Sequence, residues 1–295
     1  MFTTLVAVIA ALVLGHLAPA LLARVRDWRW FGRWLGWFQP GDDEAPGNRF
    51  SLLLAIAPLV LLAALLQWAV DERLFGLPAM LFGIAMVALC WGPRDLDRDV
   101  EAVIEAETDD SRRTAISHLQ AAGGSLREDV PNLIDATALN ALRRWFAPLF
   151  WFLLLGPAGG LLYRLFAQAV QGTQSAQVSA EARNVGQRVL ALLEWPVAQL
   201  MTLSMALVAN FDAVFSAWRR AGGNRWALQV GFLPEAARAS VGAELVEEAE
   251  QAQLSGQLPV EERYPELRDA MSVVWRMLLL WMALLALLVI AGWVG

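Results

Sequence analysis

The sequence predicts an all-α polytopic membrane protein: a transmembrane helical bundle of five to six spans with cytoplasmic amphipathic helices. Three observations carry that prediction. Hydrophobic residues make up 57% of the 295-residue chain. Uncharged runs recur at about twenty residues, the length a helix needs to cross the hydrocarbon core. Arginines cluster beside these runs rather than within them, as they do at the cytoplasmic ends of spans.

The N-terminal membrane part covers residues 1–93. Its first span is residues 2–23, which carry no charge, followed by Arg24, Arg26, Arg29 and Arg33. A cleaved leader has its positive charge before the apolar run; here the charge follows it, which predicts an uncleaved span ending in the cytoplasm. His16 lies within it and reads as a hydrogen-bonding residue of the bundle interior. Residues 24–38 alternate arginines with Trp30, Trp34 and Trp37, the composition of a helix at the membrane interface. A turn-rich linker, GDDEAPGN, follows at 41–48. Residues 50–70 and 76–92 then read as a hairpin of two spans.

Residues 94–144 form a polar segment with apolar residues at helical spacing, Leu96, Val100, Val103 and Ile104 first, then Val130, Leu133, Ile134 and Ala138. Its seven arginines place it in the cytoplasm. The central membrane part, 145–217, contains spans 145–167 and 186–212. Within the first, Pro148 and Pro157 interrupt the helix, and Gly156, Gly159 and Gly160 let another backbone come close. Within the second, Glu194 is a carboxylate in an apolar run, which points to a site or a buried partner. The intervening Gln/Ser/Ala stretch, 168–184, is expected on the periplasmic side. Residues 218–270 are a second soluble segment, acidic at Glu244–Glu250, and residues 271–294 are the last span.

Composition also excludes chemistry. The net charge of -6 speaks against nucleic acid. The chain has no lysine, so neither a Schiff base nor a phosphate-binding P-loop is available. One cysteine, Cys90, and two histidines exclude a disulfide framework and leave no metal-ligand cluster. No cofactor and no metal is expected.

The residues that carry a resemblance are WGPRDLDRDVEAV after the third span, APLFW at Ala147–Trp151, GGLLYR at Gly159–Arg164 and LLEWPVAQL at Leu192–Leu200. With them the chain resembles the AmpE family of bacterial inner-membrane proteins, itself similar to the CobD/CbiB cobalamin-biosynthesis enzymes. The first resemblance implies a signalling or sensory component of the inner membrane, linked to β-lactamase induction and cell-wall recycling, and not catalytic. The second implies a synthase that joins an amine to a carboxylate-bearing substrate. Against the synthase pattern the chain keeps Asp135 and Asn140, but has Leu139 in place of Glu and Arg143 and Arg144 in place of Asp-Gly. It runs Leu165–Gln168 where the enzymes carry an Asn-Thr-x-Asp run. Replacing carboxylates by arginine reverses the local charge and repels an amine or a metal.

The candidate ligand-binding residues are therefore Asp135, Asn140, Arg143, Arg144, Tyr163, Arg164 and Glu194. Guanidinium forks suit carboxylates and phosphates. The expected partners are the lipid bilayer and a muropeptide or other anionic small molecule, or a cytoplasmic protein. A diverged enzyme and a small-molecule transporter stay open as alternatives. The enzyme requires Asp135, Asn140, Tyr163 and Arg164 to line one pocket.

Overall fold

The computed structural model describes residues 28–38, 50–71, 77–90, 95–120, 126–172, 174–255 and 264–291. They are helical, with no strand among them. The expected span 2–23 with His16 and the linker 41–48 lie outside the described residues. The chain divides into two compact units, one of residues 1–93, 143–193 and 285–295, the other of residues 94–142 and 194–284.

The first unit opens with α1 (Arg29–Gly36), which buries Phe31, Gly32 and Leu35 and leaves Trp37 exposed. Its Trp34 indole donates to the Ala55 carbonyl of α2 at 2.8 Å. α2 (Ser51–Asp71) is apolar all round, and its apolar window is only 17% buried. Leu54, Leu61, Leu62, Leu65 and Trp68 are exposed along it. Such a surface is stable only against lipid or another chain. α3 (Leu77–Cys90) follows with fourteen residues.

The stretch expected as one span over 145–167 is not one helix. The chain passes through a π-helical turn (Leu142–Phe146), then α7 (Ala147–Leu155), then α8 (Pro157–Val170). The break is at Gly156, whose φ of 72° and ψ of -162° lie in a region open essentially to glycine alone. Past it α8 folds back on α7: a Cβ at Gly159 would lie 2.4 Å from the Trp151 carbonyl oxygen. A broken helix in an apolar setting needs partners for its freed backbone groups. Gln67 of α2 supplies them. Its side-chain NH₂ donates to Leu155 O at 3.4 Å, and its carbonyl oxygen accepts from Ala158 N at 3.2 Å.

The second unit is the polar one. α4 (Leu96–Glu105) carries Asp97 and Asp99 in its first turn, where carboxylates suit the helix dipole. α5 (Asp109–Leu119) starts at a capping box between Thr108 and Ser111. α6 (Val130–Ala141) has Pro131 in its first turn, where a missing N–H costs nothing. α9 (Ala180–Val208) begins in the first unit and passes into the second at Glu194. Asn210 then caps α10 (Phe211–Arg220) by accepting from Ala213 N at 3.0 Å. α11 (Phe232–Ser255) packs on α10 and α6. α12 (Pro265–Ile290) buries Trp281, whose indole donates to Ser204 Oγ at 2.8 Å.

Three helices among the described residues are long and apolar enough to cross a bilayer: Ser51–Val70, Ala180–Val208 and Pro265–Ile290. The expected span 76–92 is present as the shorter apolar helix α3. At fourteen residues it reaches only ~21 Å, less than the core thickness.

Candidate functional site

In the second unit, α10 and α11 enclose an open groove of about 610 Å³. Ala217, Ala221 and Gly231 are among its lining residues. Its polar wall is Arg220 from the last turn of α10 and Glu235 and Arg238 from α11. Glu235 and Arg238 stand one helical turn apart and meet directly, Arg238 Nη2 to Glu235 Oε1 at 2.5 Å. The other arm of the guanidinium, Nη1, lies 3.4 Å from Asp135 Oδ2 of α6.

Asp135 is the strained member of this cluster. Its Oδ1 is buried with no hydrogen-bond partner. Burial pushes its carboxyl above the ordinary aspartate value, the Arg238 guanidinium pulls it partly back, and Glu235 and Asp129 add to the rise. The groove thus presents one arginine held between two carboxylates and a second arginine, Arg220, beside it. Such a site can bind a small molecule bearing an anionic group, with Arg220 and Arg238 as the fork donors.

The seven residues singled out from the sequence are divided between the units. Asp135, Asn140 and Glu194 belong to the second, Arg143, Arg144, Tyr163 and Arg164 to the first. Asn140 holds the helices together: its side-chain NH₂ donates to Leu119 O, at the end of α5, and to Ala136 O, each at 2.8 Å. Glu194 is 3% exposed on α9 and engaged in interactions. Arg143 and Arg144 lie in the π-helical turn, and Tyr163 and Arg164 on α8. Arg144, Tyr163 and Arg164 are buried, and all four are engaged. Three charged groove residues were missed in sequence, Arg220 among them. Glu235 and Arg238 sit in a segment whose charge reads as a solvated helix face, and only their i, i+3 spacing marks them as a pair.

Among the described residues no group of three or more His, Cys, Asp or Glu side chains could hold a metal ion. No curated protein and no solved structure matches the chain. The family model described as regulatory signalling modulator protein AmpE matches residues 48–293, a stretch that takes in every helix from α2 to α12. The chain belongs to the AmpE family of regulatory signalling modulators.

Proposed function

We propose that this protein is a multi-pass inner-membrane signalling component, linked to β-lactamase induction and peptidoglycan recycling, that reads an anionic small molecule on its cytoplasmic face without transforming it. The observation that carries the reading is the groove between α10 and α11, where Arg220 and Arg238 flank a 610 Å³ space in the polar unit. Family membership supports the signalling role. The engagement of Asn140 with two main-chain carbonyls speaks against a synthase pocket that needs it, because that amide is committed to the fold. Asp135 sets the guanidinium of Arg238 in place.

The test is β-lactamase activity with and without an inducing β-lactam, in a strain deleted for the gene and complemented with wild type or with Arg220→Ala/Arg238→Ala. The expected result is altered induction on deletion, restored by wild type and not by the double variant, with both proteins inserted at equal level. Unchanged induction on deletion removes the signalling reading. Full restoration by the double variant keeps the signalling role and moves it away from the groove.

A further inference from the structure

The chain from α10 to the start of α11 carries a charge segregation of which the groove takes up only Arg220. Between Ala213 and Pro234 there is no acidic residue, and there are three arginines, Arg219, Arg220 and Arg225, in a chain whose net charge is -6. The structure fixes where this basic stretch lies. α10 begins just after the end of α9 and runs back beside it. The Trp218 indole donates to Gln199 Oε1 at 2.8 Å, and Gln199 Nε2 donates to Gly223 O at 2.8 Å. Gln199 lies nine residues before Val208, so the return covers ~13 Å of α9. Three residues further the chain is pinned again, where Trp226 stacks on Trp195 at 5.3 Å.

The pinned turn exposes what an interface takes up. Trp226 is 91% exposed, and Leu228 and Phe215 are also exposed. Phe211, Phe215 and Trp218 stack in a row, with centroids 5.5 Å and 5.2 Å apart. The turn is rigid: Gly222 has a φ of 78°, and Gly222 N and Gly223 N donate to Arg219 O and Trp218 O. The helix to which it is clamped, α9, is itself long and apolar enough to cross a bilayer. Arginine toward phosphate with tryptophan at headgroup depth is the pairing found at membrane surfaces.

We propose that the turn Arg219–Trp226 is a docking surface for the headgroup layer of an anionic phospholipid bilayer, with Arg219 and Arg225 on lipid phosphates and Trp226 inserted beside them. The occupant follows from the charge, which is complementary to anionic lipid, and from continuity with the apolar helix α9.

The test uses the full chain in nanodiscs of phosphatidylcholine with increasing phosphatidylglycerol. A spin label is placed at Asn224→Cys in a Cys90→Ala background, since Asn224 is exposed and Cys90 is buried. The expected result is a label that leaves bulk water as phosphatidylglycerol rises, read by loss of collisions with a water-soluble relaxant. Each arginine near a charged surface contributes about a fivefold factor, so Arg219→Gln/Arg225→Gln weakens the apparent affinity for phosphatidylglycerol by about 25-fold. Arg219→Lys/Arg225→Lys keeps the response, which separates charge from local structure. The proposal is overturned by a label in bulk water at every lipid composition, by a Gln pair that responds like wild type, or by label–label broadening that reports a second copy at the turn.

Discussion

Replacing Gly156 by alanine tests whether the break in the central membrane stretch is built or incidental. The perturbation has two parts. An L residue at φ 72°, ψ -162° is strained by about 1–3 kcal/mol. The new Cβ also falls 2.4 Å from Gln67 Nε2 and 2.8 Å from its Cδ, so the Gln67 side chain must move. Moving it releases Leu155 O and Ala158 N, at roughly 1 kcal/mol for each hydrogen bond. The sum is a destabilisation of about 3–5 kcal/mol. The assay is reversible unfolding of the purified full-length protein in mixed micelles. A double-mutant cycle separates the parts: in a Gln67→Ala background the clash is gone, and Gly156→Ala should cost only the strain, about 1–3 kcal/mol. Equal costs in both backgrounds would refute the idea that Gln67 serves the break. A Gly156→Ala protein as stable as wild type would refute the broken-helix reading itself.

Two further perturbations address the polar unit. Asn140→Ala should lower stability by about 1–3 kcal/mol in thermal unfolding, because the Leu119 carbonyl at the end of α5 loses its donor; an unchanged melting temperature would show that this staple contributes nothing. Asp135 gives a pH signature. Its native pKa lies above 3.8, so the folded chain holds this proton more tightly than the unfolded one. Its contribution to stability therefore falls as pH rises from 3.8 through the raised native value, and is level above it. Asp135→Asn should remove that fall, and Arg238→Gln should extend it to higher pH by taking away the charge that lowers the native value. A stability–pH curve that is the same in Asp135→Asn and wild type would contradict the assignment.

Much of the helical fold was legible because burial in lipid writes itself as composition. The run that forms α2 and the stretch of α12 after Arg276 carry almost no polar residue, so length alone marks them. The break at Gly156 was half legible: the Gly-Pro pair signalled an interruption, but the partner that makes the break tolerable, Gln67, is 89 residues away and gives no local sign. The groove was illegible for the same reason. Asp135 and Arg238 meet across more than a hundred residues, and Asp135, though a candidate residue, gives no local sign of its partner. Asn140 is a candidate because it matches a position of the synthase pattern. The structure shows it holding α5 to α6, a role that chemistry by residue type does not separate from ligand binding.

The π-helical turn at Leu142–Phe146 has a consequence for how this chain can vary in length. A π turn holds one residue more than the α-helical path. Upstream, α6 needs a defined face, because Leu133, Ile134, Ala138 and Ala141 are buried on it. Downstream, α7 buries Pro148, Leu149 and Phe152 at its own phase. The quantity held constant across this joint is therefore the residue count. A change of side chain there is a local matter of fit, whereas the loss of a single residue removes the π turn itself.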